Sequence, residues 1–249
     1  MSNIRRSPIW PDPRVKPPFG AAQINWGHPL AYGLKDVLLF DNTLINRGMG
    51  KQVATGGGPW RVGRRGLGIT NSGSGLSSAE DVVVIGGFAS TQTNISVVVG
   101  FTPLGAPNSF HALWAGQDNN IVGGGMLIRI HTDGTVHFLK SQYSDELIGT
   151  LSSYTVGKPY IITFTIDGSA LLALYEEGLQ MATKTLTVTF STTNGTGPRI
   201  GNDGSGAGSD RANGQFDFVL VYNRALSAAE VLGVVSEPYA FLQPVIRRR

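Results

Sequence analysis

From residue 30 onward the chain alternates short apolar runs with clusters of Gly, Asn, Asp and Ser. Short apolar runs bounded by turn formers are the pattern of β-strands. Residues 95–101 (ISVVVGF) and 160–166 (YIITFTI) are rich in β-branched side chains and predict two central strands. Further strands are predicted at 33–40, 66–70, 82–85, 112–115, 126–130, 170–176 and 186–190. Residues 216–222 alternate well enough for a strand with one buried face. Asp133-Gly134 lies between the alternating runs 129–132 and 135–138. It predicts a hairpin with a type I′ turn, in which both central residues have positive φ. Glu177-Gly178 predicts a second turn. One helix is expected: Ser227 as N-cap with Glu230 three residues on forms a capping box, and Pro238 stops the helix near Val235.

Many short strands, glycine-rich turns and one short helix predict an all-β antiparallel jelly-roll sandwich. No strand–helix–strand alternation is present, which excludes a doubly wound or TIM-barrel fold. Residues 1–29 break the pattern. Pro8, Pro11, Pro13, Pro17, Pro18 and Pro29 favour extended backbone. Yet this stretch holds Trp10, Phe19 and Trp26, rings that a free linker exposes only at a cost. The predicted organisation is an extended Pro/aromatic arm over 1–29, a jelly-roll domain over 30–236 and a basic tail over 237–249.

Composition agrees with strands and turns: 34 Gly, 13 Pro and only 15% charged residues in 249. The absence of cysteine excludes disulfides and thiolate chemistry. The first residues have no apolar signal core, and no apolar run approaches the ~18 residues of a spanning helix. The expectation is therefore a chain made in the cytoplasm, with no membrane insertion. The net charge of +3 hides an asymmetry. Seven of the 20 basic residues lie in the first 30 and last three positions, leaving 13 against 16 acidic residues in between. The body is mildly acidic and the ends basic, which suits docking of the ends on an acidic partner; terminal arginines that are merely solvated fit equally. Arg61, Arg64 and Arg65 follow Trp60, but the acidic body argues against nucleic acid.

Two stretches carry a family resemblance. The first is 157–168 (GKPYIITFTIDG) followed by 174–178 (LYEEG). The second is 199–202 (RIGN), 213–217 (NGQFD) and 221–231 (VYNRALSAAEV). Together they resemble the laminin-G-like jelly rolls of the concanavalin-A-like lectin/glucanase superfamily, with Glu177 where that family's turn carries Asn. The resemblance implies the fold and says little of function. The ends are similar to something narrower. Residues 24–34 (INWGHPLAYGL) and 237–244 (EPYAFLQP) with the terminal arginines resemble the entry and exit of laminin-G-like proteins from tailed bacteriophages.

The chemistry offered by single residues is thin. Glycosidases of this superfamily need two carboxylates on one face, whereas Asp145-Glu146 and Glu176-Glu177 are adjacent and point to opposite faces of a strand. No enzymatic activity is expected. His131 and His137 flank the Asp133-Gly134 turn and are expected as surface residues on neighbouring strands. No cofactor is required. Calcium is the one ion the loops suit, with Asp118 and Asp203 as first candidates, and the same residues also suit plain turns. Trp60, Tyr143 and Tyr154 are the candidates for a carbohydrate platform, while Trp114 lies in an apolar run and is expected in the core.

The expectation is a non-enzymatic virion protein assembled in the host cytoplasm, a capsid decoration or a head- or tail-attached accessory. It would be present in many copies or as a homo-oligomer. Its anchors to other virion proteins would be Trp10, Phe19, Trp26, Arg247, Arg248 and Arg249, and its outer face would be open to host-surface glycans. A carbohydrate-binding module free of any virion and a glycan depolymerase are the alternatives.

Overall fold

The computed structural model describes residues 12–17, 21–40, 47–48, 60–63, 66–72, 83–84, 94–106, 110–115, 126–140, 145–168, 171–185, 199–201 and 212–245. In chain order it contains β1 (Ala22–Ile24), a 3-10 turn (Pro29–Ala31), β2 (Leu34–Leu38), β3 (Trp60–Gly63), β4 (Gly66–Ser72) and β5 (Val83–Val84). There follow β6 (Ile95–Pro103), β7 (Phe110–Ala115), β8 (Met126–His131), β9 (Thr135–Lys140), β10 (Asp145–Thr150) and β11 (Tyr160–Ile166). The chain closes with β12 (Leu171–Glu176), β13 (Leu179–Thr185), β14 (Arg199–Ile200), β15 (Asn213–Tyr222), α1 (Ala228–Ser236) and β16 (Leu242–Pro244).

The strands form two main antiparallel sheets, as the pattern predicts. One has six strands in the order β10-β9-β8-β7-β14-β5. The other has eight, in the order β13-β12-β11-β6-β15-β4-β3, with β2 also paired to β15. The main core fills the space between them and holds Trp114, Phe138, Phe164, Phe101 and Phe216 among others. A second core covers the far face of the eight-stranded sheet. Phe218, Leu220 and Tyr222 of β15 meet Val231 and Val234 of α1 there, together with Ile24, Tyr239 and Phe241. The six-stranded sheet therefore has its other face turned away from both cores.

The same patterning explains β11, which is buried along its whole length. Ile162, Phe164 and Ile166 enter the main core while Ile161 enters the second. A strand with apolar side chains on both faces reads as a continuous run, because each face has its own layer to fill.

Handover from β15 to α1 follows the expected capping box, with both reciprocal hydrogen bonds between Ser227 and Glu230. Ser96 locks it from β6: its hydroxyl donates to the Arg224 carbonyl (2.9 Å) and accepts from the Leu226 N–H (2.8 Å).

The hairpins correct one expectation. Only Gly134 of the Asp133-Gly134 pair has positive φ (82°). Gly134 N–H donates to the His131 carbonyl (3.0 Å) and Asp133 accepts from Thr135 N–H (2.8 Å). This is a turn over 131–134 whose last residue is left-handed, the three-residue hairpin rather than type I′. The type I′ geometry is found instead at Glu177-Gly178, where both φ values are positive (48° and 83°). Glu177 tolerates that conformation because its carboxylate accepts from Ile161 N–H of the neighbouring strand (2.7 Å). The expected strand at 186–190 lies outside the described residues; β13 precedes it.

The two ends of the chain are tied together. β1 pairs antiparallel with β16, with Gln23 opposite Gln243. Tyr239 N–H donates to the Pro13 carbonyl (2.9 Å), and the buried Lys16 ammonium donates to the Asp217 carbonyl. Residues on both sides of the 29/30 and 236/237 boundaries thus belong to one packed unit.

Candidate functional site

The face of the six-stranded sheet away from the cores carries the most organised polar cluster among the described residues. Register places it. Ala112 lies opposite Arg129, Phe110 opposite His131, Arg129 opposite His137, and His137 opposite Ile148. Their neighbours Ile130, Val136 and Phe138 enter the main core, so period-two alternation puts Phe110, Arg129, His131, His137 and Ile148 on the other face.

Three rings stack there. Phe110 and His131 have centroids 5.4 Å apart at 28°, and His131 and His137 are 4.0 Å apart at 25°. The Arg129 guanidinium lies 4.4 Å over the Phe110 ring and 3.6 Å from Glu146. Glu146 also meets His137 Nδ1 at 2.5 Å, and Thr135 Oγ1 lies 2.8 Å from His137 Nε2. Thr135 in turn donates to Asp133 (2.6 Å). Both nitrogens of His137 thus face oxygen. Burial, then the neighbouring His137 and Arg129, push the His131 pKa down. The Nε2 of His131 is buried without a hydrogen-bond partner among the described residues.

Phe110 packs with Ala112, Ala115 and Leu127 in a small buried apolar cluster, and the largely buried Arg129 lies over it. Beside it His137 and Glu146 are partly open and Ile148 is half exposed. The result is a fixed set of planar groups, two of them imidazoles and one a guanidinium, at the edge of open surface. The edges that remain open, at His137 and Glu146, can hydrogen-bond to hydroxyls. His131 and His137 are neighbours, as expected, but both are partly buried rather than plain surface residues, and they are joined in a network that sequence spacing does not show.

The other residues singled out from sequence are scattered. Tyr154 sits between β10 and β11, its hydroxyl 2.7 Å from His111 Nε2 and its ring parallel to Tyr160 at 6.4 Å. It packs against the main core. Trp60 is on β3 opposite Ile69, at the edge of the eight-stranded sheet. Trp114 is fully buried, as expected. Trp26 is half exposed. Trp10, Phe19, Asp118, Tyr143, Asp203, Arg247, Arg248 and Arg249 lie outside the described residues.

Several carboxylates have structural partners. Glu176 accepts from the Ser152 N–H and hydroxyl (2.8 and 2.9 Å). Glu177 holds the β12–β13 turn, and Asp217 accepts from the Gln215 amide (2.8 Å). Glu230 caps α1 and pairs with Arg224, whose hydrogen bonding holds its pKa down at about 2.

Comparison with known proteins places this architecture. The chain is similar to domain 4 of AbnA, a GH43 extracellular arabinanase from Geobacillus stearothermophilus, solved in complex with arabinotriose. The TM-score is 0.63 and the identity 15%, over 86% of this chain and 99% of that one. It is similar to the CBM40 of the Ruminococcus gnavus IT-sialidase, solved with α2,3-sialyllactose, with TM-score 0.56 and 16% identity over 68% and 95% of the two chains. It is also similar to Trypanosoma rangeli sialidase, with TM-score 0.58 and 14% identity, over 82% of this chain but 32% of that one. At these identities the likeness is one of fold. No curated protein sequence matches the chain. The family model for the concanavalin A-like lectin/glucanases superfamily (Laminin_G_3) matches residues 77–232, more than half of the chain. Two facing antiparallel sheets, a capped helix closing the sandwich and this match agree: the chain belongs to the concanavalin A-like lectin/glucanase superfamily.

Proposed function

We propose that the protein is a non-enzymatic glycan-binding module that uses the outer face of its six-stranded sheet. The observation that carries this is the partly open His137–Glu146 pair beside the half-exposed Ile148, held in place by the Phe110–His131–His137 ring stack and Arg129. A ligand site combines an apolar floor with a few convergent polar groups of fixed orientation. Here Arg129, His137 and Glu146 hold one another, so little side-chain freedom is lost on binding. Two of the similar solved structures hold bound sugars, which supports the reading. A non-catalytic role fits the carboxylates. Acid and nucleophile or base of a glycosidase face each other across the scissile bond, whereas Glu146 is engaged by His137 and Arg129. Asp118 and Asp203 are the proposed ligands should calcium bind.

A glycan array probed with the full chain, followed by calorimetry on the best ligand, tests this. Arg129→Ala and His137→Ala are each expected to weaken binding by about tenfold or more, with unchanged affinity for a control substitution at Leu179. Absence of any array ligand, or equal affinity of wild type and both variants, overturns the proposal.

We further infer that the module is carried on a virion, in several copies, held by its two ends. The favouring observation is that the two phage-like motifs come together in space. β1 of the entry pairs with β16 of the exit, and Tyr239 and Phe241 of the exit are buried with Ile24 and Ala31 of the entry. Anchoring is assigned to Trp10 and the terminal arginines Arg247, Arg248 and Arg249. Removing residues 1–11 and 246–249 is expected to leave thermal stability unchanged and abolish co-sedimentation with particles. Retained co-sedimentation, or an absence of the protein from particles altogether, contradicts it.

A further inference from the structure

Trp26 offers a second site on the opposite side of the sandwich. It stands on a locked turn. Asn25 N–H donates to the Phe241 carbonyl (2.8 Å), His28 N–H to the Asn25 carbonyl (2.9 Å), and Gly27 N–H to Asn25 Oδ1 (3.2 Å). His28 Nδ1 then accepts from Leu30 N–H (3.1 Å) and starts the 3-10 turn. The turn thus has a fixed course, yet Trp26 remains 50% exposed. Burial of a ring this large is strongly favourable, so a rigid, half-exposed tryptophan calls for an explanation.

A groove runs along each side of it. One, of about 480 Å³, lies between Trp26, Tyr32, Asn223 and Arg224. The other, also about 480 Å³, lies between Trp26, Gln23, Arg47 and Gln243. Tyr32 is 74% exposed. Both guanidinium groups are fixed. Arg224 donates to the Tyr32 carbonyl (2.9 Å), lies 2.7 Å from Glu230 and sits 5.3 Å from the Tyr32 ring centroid. Arg47 donates to the Ala22 carbonyl (2.9 Å). Gln23 and Gln243 are direct cross-strand partners in β1 and β16, so their amides share one face.

The chemistry selects a ligand class. Exposed aromatic faces take the C–H face of a sugar ring. Amides supply a donor and an acceptor side by side, which suits hydroxyls rather than a charged group. Arg224 is already neutralised by Glu230, which disfavours an anion. Two open grooves meeting at one ring fit a chain that passes across it, not an enclosed small molecule. The geometry points to a carbohydrate site centred on Trp26 that takes a neutral oligosaccharide of several rings, separate from the six-stranded face. Gln23, Trp26, Tyr32 and Gln243 lie outside the matched family segment 77–232, while Asn223 and Arg224 lie within it.

The test uses the full chain with xylohexaose, cellohexaose and laminarihexaose as probes, read by saturation-transfer NMR and calorimetry. At least one probe binds at millimolar concentration or below. Trp26→Ala weakens it about tenfold or more, Gln243→Ala weakens it less, and Leu179→Ala, at an exposed position of β13, leaves it unchanged. The exposed position of Trp26 keeps the fold intact in its variant. No binding by any probe overturns the proposal, as does equal binding by Trp26→Ala and wild type. Loss in Arg129→Ala alone also overturns it while leaving the six-stranded site standing. Capture of a peptide copying the proline-rich residues 7–18, without sugar binding, overturns it in favour of protein docking.

Discussion

Replacing Trp114 by alanine is expected to destabilise the protein by about 3–5 kcal/mol, the range for emptying a large aromatic site in a packed core. Trp114 is fully buried on β7, opposite Ile128 and Ile200, with its ring 5.7 Å from that of Phe164 on the facing sheet. It therefore spans the space between the sheets. β7 has a register shift between Ala112 and Trp114 that turns Leu113 and Trp114 both into the core. A bulge redirects side chains in this way. Domains of this kind hold only ~5–15 kcal/mol in total, so the loss is a large share. Urea unfolding followed by far-UV circular dichroism reads it. A loss below about 1 kcal/mol would mean that this ring is not the keystone of the main core.

Acidification from pH 6.5 to pH 4 is expected to remove roughly 3 kcal/mol through His111 alone. His111 is on β7, fully buried, with Nδ1 accepting from Asn213 N–H (2.9 Å). Its Nε2 proton is thereby directed to the Tyr154 hydroxyl at 2.7 Å. The ring is neutral, and burial pushes its pKa down from 6.5 to about 4. The sign follows from linkage. Above pH 6.5 folded and unfolded chains are both neutral at this site, and the full stability is present. Below it the unfolded chain takes a proton that the folded chain refuses, so stability falls until about pH 4. His111→Phe costs stability at pH 7 because it strands the Asn213 N–H, but its stability falls less between pH 6.5 and 4 than that of wild type. Parallel pH profiles for the two proteins would contradict this assignment.

Strand positions were legible because each face of the eight-stranded sheet has an apolar layer to meet. Tyr160–Ile166 fills both layers and could hardly read otherwise. β13 was missed because it is an edge strand whose residues, Leu179 among them, are mostly exposed. Its sequence shows neither alternation nor a β-branched run. β1 and β16 were missed for another reason: each is three residues long and is defined only by its partner at the other end of the chain. The turn at Asp133-Gly134 was misjudged because Asp-Gly also suits a longer hairpin in which Asp133 caps Thr135. The site was half visible. The positions of His131 and His137 on either side of the Asp133-Gly134 turn pair them, whereas Glu146 stands next to Asp145 in sequence with nothing local to link it to the histidines. Its role comes from strand β10 lying beside β9, a pairing no local signal encodes.

The four histidines sort the faces of the molecule. His131 and His137 lie on the six-stranded face, His111 is buried by the main core, and His28 lies beside Trp26 at the 3-10 turn. Imidazole ¹H–¹⁵N NMR of the full chain, recorded while the best array glycan is added, therefore reports where that glycan binds. The account predicts progressive shifts of His131 and His137 with His111 unmoved; a shift of His28 alongside them reports the Trp26 site. Shifts confined to His28, or none at any histidine under saturating ligand, would contradict the claim that the six-stranded face is the glycan-binding surface.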